Sequence, residues 1–169
     1  MGFRKCAWFV MLPLIILSTG CGTEQDDWAR TIDLYLAAQE GDYQEARRLL
    51  KDGADIDVNA GFVCNATICL GTPLHAAAYY GHTKVAALLV LAGADVNSRT
   101  KSFLGTEKGY RGTPLHYAAL GGDLRMVRLL LSCGADPSMT DGNGNTAYDL
   151  AAEVDHARVA WALKHKMDH

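Results

Sequence analysis

The sequence predicts an all-α repeat fold, a solenoid of about four helix–turn–helix repeats in which two of the connections are lengthened. Three observations predict it. Thr72-Pro73-Leu74-His75 returns as Thr113-Pro114-Leu115-His116. Each tetrapeptide opens the same longer sentence, TPLHAAAYYGHTKVAALLVLAGADVN from Thr72 to Asn97 and TPLHYAALGGDLRMVRLLLSCGADPS from Thr113 to Ser138. Weaker copies stand on both sides. Helices as short as those in each copy are marginal alone in water, so they hold only if neighbouring repeats stack and share a core.

Each element has a local reason. Thr72 and Thr113 are good N-caps, and Pro73 and Pro114 fit the first helical position, where a missing N–H is harmless. Leu74, Ala77 and Ala78, with Leu115, Ala118 and Ala119, give the first helix of each copy a small apolar face. Gly81 and Gly122 stop these helices in a left-handed conformation. The second helices carry Val85, Leu88 and Leu89, and Met126, Leu129 and Leu130, at helical spacing, and Gly93 and Gly134 end them.

The upstream copy runs from Asp33-Leu34-Tyr35-Leu36-Ala37-Ala38 through Gly41 to Gly53-Ala54-Asp55. The downstream copy starts at Thr146-Ala147-Tyr148-Asp149, with Asp155 where the stop glycine would be. Terminal repeats are expected to be atypical, because one side of each faces water. The unit resembles the ankyrin repeat, about 33 residues with a TPLH opening, two short helices and a β-turn. The resemblance covers repeats at about 32–58, 72–97, 113–138 and 146–166, within a domain spanning 32–169. It implies a fold, and it implies no single partner, because function resides in a particular surface rather than in the fold.

Upstream of the repeats, Arg4 and Lys5 precede an apolar run of 12 residues, Cys6 to Leu17. That run is short for a transmembrane helix, which needs about 20 residues, and suits the core of a signal peptide over residues 1–20. Leu17-Ser18-Thr19-Gly20-Cys21 resembles a bacterial lipobox, with its leucine four residues before the cysteine where three is usual. The resemblance implies lipidation of Cys21 and anchoring in the bacterial periplasm to the inner or outer membrane; an ordinary secretory signal cut near Gly20 is the other reading. Residues 21–31, rich in Glu24, Asp26 and Asp27, are expected to form an acidic tether, with Trp28 marking where packing begins. Removing residues 1–20 leaves 14 Lys and Arg against 19 Asp and Glu, a formal charge of −5. That charge disfavours nucleic acid as a partner. Membrane attachment would then rest on Cys21 alone.

Of five cysteines, Cys6 falls in the apolar run and Cys21 is the lipidation candidate. Cys133, at the end of a second helix, is expected to be a small buried filler. Cys64 and Cys69 share one loop, and in an oxidising compartment they are expected to form a disulfide. The alternative is two free thiols.

The connections differ in length. Gly134 to Thr146 is 12 residues, whereas Gly53 to Thr72 is 19 and Gly93 to Thr113 is 20. Two adjacent β-turn fingers therefore carry insertions, 59–71 and 98–112, and insertions in a repeat array fall on one face, often the binding face. The first finger has no charge and carries Phe62, Val63 and Ile68. The second carries Phe103 and Tyr110 among Arg99, Lys101, Lys108 and Arg111. The ankyrin resemblance adds the two residues before each first-helix glycine, among them Tyr79, Tyr80 and Leu120. Exposed aromatics beside arginine are typical interface hot spots. The alternative is that Phe62, Phe103 and Tyr110 fold back to give each finger a small core of its own.

Catalytic patterns are weak. The resemblance makes His75 and His116 structural hydrogen-bonding residues. Cys69 with His75 has no orienting third group. His165 and His169 lie four apart in a solvated tail, and no metal or cofactor is expected. Asp141-Gly142-Asn143-Gly144-Asn145 lacks the distal glutamate of a calcium loop and fits a β-turn finger. Asn65-Ala66-Thr67 is a glycosylation sequon only if the chain is not a bacterial lipoprotein. The sequence thus reads as a non-enzymatic binding module, monomeric when free, that holds one protein partner, an enzyme. Two roles fit: an envelope-tethered immunity protein or inhibitor of a secreted antibacterial lipase or wall hydrolase, or a periplasmic scaffold for a resident enzyme, for example in oxidative-stress protection.

Overall fold

The computed structural model describes residues 24–57, 60–64, 67–102 and 111–167, with side chains described over 30–57, 71–100 and 111–166. The signal segment, Cys21, Phe103, Lys108 and Tyr110 lie outside the described residues, and the side chains of Trp28, Phe62, Val63, Cys64, Ile68, Cys69 and Lys101 lie outside those described.

Among the described residues, eight helices form four pairs: α1 Glu24–Glu40 with α2 Tyr43–Lys51, α3 Pro73–Tyr80 with α4 Thr83–Leu91, α5 Pro114–Gly121 with α6 Leu124–Ser132, and α7 Ala147–Glu153 with α8 Ala157–Met167. First helices touch first helices (α1, α3, α5, α7 in turn), and second helices touch second helices (α2, α4, α6, α8). The result is two helical layers, the all-α repeat solenoid predicted from the sequence. Leu74, Val85, Leu89, Leu115, Met126 and Leu130 are buried between them. Alanines at 76, 77 and 78 are buried too, because small side chains let adjacent first helices approach closely.

The helix boundaries follow the local chemistry. Thr72 and Thr113 sit at extended backbone before a proline. The Thr72 N–H donates to Nδ1 of His75 at 3.1 Å, and the Thr113 N–H to Nδ1 of His116 at 3.1 Å. In the last repeat Asp149 replaces the histidine, and its Oδ2 accepts from the Thr146 N–H at 2.8 Å. Gly81 and Gly122 end their helices at φ 76° and 71°. Asp155 occupies the matching position at φ 59°, a left-handed conformation that L-residues enter at a cost. Asp155→Gly is therefore expected to raise stability by about 0.5–1 kcal/mol, even after the extra entropy that glycine loses on folding. Thermal unfolding of the two proteins checks this.

Two expectations need correction. The segment expected as an acidic tether is helical from Glu24, because α1 runs unbroken to Glu40 and contains neither glycine nor proline. Its acids, Glu24, Asp26 and Asp27, fall in the first turn, where the helix dipole favours negative charge. Cys133 is exposed, not buried. It is the C-cap of α6, one residue beyond the helix, in the exposed turn that leads through Gly134.

The fingers contain strands. β1 Ala60–Cys64 pairs antiparallel with β2 Thr67–Gly71, and β2 pairs antiparallel with β3 Lys101–Ser102. The first finger is thus a hairpin, and the start of the second finger adds to it as a third strand in the order β1-β2-β3. Cys64 stands opposite Thr67, and Cys69 opposite Phe62, so the two cysteines occupy diagonal positions in the register.

Candidate partner-binding face

The stem of the second finger is built from buried polar groups. The Thr100 N–H donates to the Gly112 carbonyl at 3.0 Å, which closes the stem. Thr100 is buried, and its Oγ1 lies 3.3 Å from the hydroxyl of Tyr117, a fully buried residue of α5. His75 reaches across from α3. Because its Nδ1 accepts from Thr72, its Nε2 carries the hydrogen and donates to the Ser98 carbonyl at 3.1 Å. His116 repeats the arrangement toward the Asn145 carbonyl, also at 3.1 Å. Each histidine ties a first helix to the finger that follows it, the structural role expected of it. Burial pushes the His75 imidazole down to about 4, against smaller raising effects from carbonyls of Gly112 and Ser98. Burial also lowers His116, partly opposed by the Asn145 carbonyl and by Asp141.

Shorter links run from finger to finger. Asp57 Oδ1 accepts from the Asp95 N–H at 3.2 Å, and Asn97 Oδ1 accepts from the Asp136 N–H at 2.9 Å. In the last finger, Asp141 Oδ1 accepts from the N–H groups of Asn143 at 2.8 Å and Asn145 at 2.9 Å. This carboxylate shapes the turn of the last finger. Among the described residues no group of three metal-ligating side chains is placed to hold an ion. His165 lies against Trp161, with ring centroids 4.1 Å apart.

The predicted site residues divide by position. Arg99 and Arg111 are exposed at the stem of the second finger, each beside one member of the Thr100–Gly112 pair. Tyr79, Tyr80 and Leu120 lie at the far ends of α3 and α5. Tyr80 is 42% exposed, and its ring meets that of Tyr79 edge-on at 5.1 Å and stacks on His82 at 6.4 Å. Tyr79 is half-buried, packed against the core and edge-on to Tyr117 at 6.4 Å. Leu120 is half-buried as well. α3 rises about 12 Å over its eight residues, so the tyrosines and the finger stem mark opposite ends of one helix length. For Phe62, Val63, Ile68 and Lys101 the backbone lies in the three-stranded sheet.

The residues before each first-helix stop, expected on this face from the ankyrin resemblance, include Glu40, Gly121 and Val154. Gly121 occupies the place in its repeat that Tyr80 holds in the one before, and a Cβ there would stand 2.5 Å from the Tyr79 carbonyl oxygen. Val154, at the same place in the last repeat, is 42% exposed. Alignment of the four openings puts Glu40, Tyr80, Gly121 and Val154 in one row. The row offers an aromatic and an aliphatic side chain on either side of a bare backbone position. Sequence reasoning missed two links behind this row: His82, which supports Tyr80 and whose Nε2 lies 3.0 Å from the Gln39 carbonyl oxygen of the preceding repeat, and His156, whose Nε2 lies 3.1 Å from the Leu120 carbonyl oxygen.

Family comparison agrees with this architecture. Residues 10–100 match a model of ankyrin repeats in three copies, and residues 104–151 match a model of ankyrin repeats in many copies. The first match begins within the apolar run near the N-terminus. No curated protein matches the chain. With more than half of its length matched and four stacked repeats in its structure, the chain belongs to the ankyrin repeat family and is a protein–protein interaction module.

Proposed function

We propose that this module is tethered in the bacterial envelope through Cys21 and acts as an immunity protein or inhibitor, neutralising a secreted antibacterial enzyme such as a lipase or wall hydrolase. The observation that carries the reading is the joining of two elongated fingers into one sheet, held by the buried Thr100–Gly112–Tyr117 stem. Such a sheet presents a preformed projecting surface, which lowers the ordering cost of binding. An inhibitor that must engage an enzyme cleft needs that property. Phe62, Val63, Ile68, Lys101, Phe103, Lys108 and Tyr110 belong to the proposed surface, flanked by Arg99, Arg111 and the Tyr79–Tyr80–Leu120 end of the helices.

The test combines a strain and a binding assay. A deletion strain becomes sensitive to a secreted enzyme of a neighbouring cell, and the purified module binds and inhibits that enzyme. Tyr80→Ala is expected to weaken the complex at least about tenfold, the scale of an interface aromatic, with little change in thermal stability because the ring is exposed. Full resistance in the deletion strain, with capture of a resident envelope enzyme instead, would replace this role with that of a scaffold.

The Cys64–Cys69 disulfide belongs to the same proposal. Diagonal positions of an antiparallel pair are about 7–8 Å apart, beyond disulfide reach. Closure therefore requires β2 to slip by two residues, setting Cys64 opposite Cys69 and lengthening the turn from two residues to four. A slip of two keeps every side chain on its face. Mass analysis of envelope-derived protein without reductant is expected to show these cysteines resistant to alkylation. Two alkylated thiols would mean that the hairpin keeps the register described above.

A further inference from the structure

The charges of this acidic chain are sorted by layer. α4, α6 and α8 carry six cationic residues, Lys84, Arg125, Arg128, Arg158, Lys164 and Lys166, and not one carboxylate. All six are exposed, and none forms an ion pair among the described residues. α2 extends the pattern with Arg47, Arg48 and Lys51 against Glu45 alone, and Glu45 is engaged by Arg48. Most acid lies in the other layer and the fingers, as in Asp33 and Glu40 on α1, Asp149 and Glu153 on α7, and Asp55 and Asp95 in the turns, while Asp42, Asp52 and Asp123 cap the ends of α2 and α6 and Asp52 is engaged by Arg48.

Among the described residues, the two most accessible large apolar side chains lie on this basic layer, Leu91 at 87% and Trp161 at 60%. Each edges a shallow groove between second helices. One is lined by Tyr43, Lys84, Leu88 and Leu91, the other by Arg128, Leu131, Trp161, Ala162 and Lys166. A cationic face that also bares a tryptophan and a leucine suits a surface that is anionic outside and apolar just beneath. Phosphate headgroups over acyl chains have that profile. A nucleic acid would use the charges and leave Leu91 without a role.

We propose that the outer layer of second helices is a docking surface for an anionic lipid bilayer, which would leave the fingers free for a protein partner. The inference stands apart from the proposed enzyme partner, because no partner takes part in its test. The test is co-sedimentation of the full chain, not lipidated, with equimolar phosphatidylglycerol–phosphatidylcholine vesicles and with pure phosphatidylcholine vesicles. Stronger binding to the anionic vesicles is expected, and it should fall with added salt. The double variant Arg128→Glu/Lys164→Glu should lose at least about tenfold of the anionic preference, since each basic residue near such a surface contributes about 1 kcal/mol. Lys84→Glu at the other end of the layer should lose several-fold. Leu91→Ser/Trp161→Ser should weaken binding while the preference for anionic vesicles persists. All these positions are exposed, so unchanged circular dichroism is expected throughout. The apolar N-terminal run is common to every variant and drops out of the comparison. Equal binding to both vesicle types, or charge-reversed variants that bind like the parent, would overturn the proposal. So would duplex DNA that displaces the chain from anionic vesicles.

Discussion

Between pH 6.5 and about 4, the protein is expected to lose about 3 kcal/mol of stability through one buried imidazole, that of His75. The sign follows from the protonation states. His75 is neutral in the fold, since its Nδ1 accepts the Thr72 N–H and its Nε2–H donates to Ser98. Burial holds its folded value at about 4, while the unfolded chain takes up the proton near 6.5. Below pH 6.5 the unfolded state thus binds more protons, and stability falls as pH falls until the folded imidazole also titrates. His116 is lowered for the same reason and adds a loss of the same sign. Urea unfolding measured at intervals down the window checks the slope. His75→Asn should be less stable at neutral pH, because it forfeits the bond to Ser98, yet its stability should depend less on pH. Asp149 is the precedent for a shorter acceptor at that position. A variant with the parental slope would assign the acid sensitivity to other groups.

Gly121→Ala is expected to destabilise the array by about 1–3 kcal/mol, although alanine is the better helix former. The added methyl would stand 2.5 Å from the Tyr79 carbonyl oxygen, and that oxygen is backbone, so no side-chain rotation relieves the overlap. α3 and α5 must move apart. The gap would open beneath Tyr117, whose hydroxyl holds Thr100 at the finger stem. The variant is therefore expected to lose partner binding as well as stability, and a melting curve with a binding assay at low temperature separates the two. Unchanged melting would mean that the two helices already have slack.

Much of this architecture was legible because it rests on local rules. A threonine before a proline, a histidine three residues later and a glycine at positive φ each impose a backbone geometry that neighbours cannot easily override. Even the irregular Asp155 was readable as a substituted stop. What was not legible depended on contacts between segments distant in sequence. Residues 69–70 pair with 101–102 across a whole repeat, and nothing in either short stretch names the other. The helical state of residues 24–31 required continuity with α1, where local composition suggested a tether. Residue type suggests burial for Cys133, whereas its place one step beyond a helix decides its exposure. The basic layer was hidden by averaging, because a net charge of −3 sums over two layers of opposite character. The absence of Asp and Glu from three second helices was the available signal.

The pairing of β2 with β3 also sets the unit in which this surface can be exchanged. Ankyrin arrays invite recombination one repeat at a time, since each repeat contacts only its neighbours. Here a cut anywhere between β2 and β3, within the second repeat or directly after it, would separate strands of one sheet and leave β2 with a bare edge, open to pairing between molecules. Transplanting the fingers, whether by a designer or by gene shuffling, would need residues 60 through 112 to travel as one cassette, with Tyr117 carried along to hold the stem.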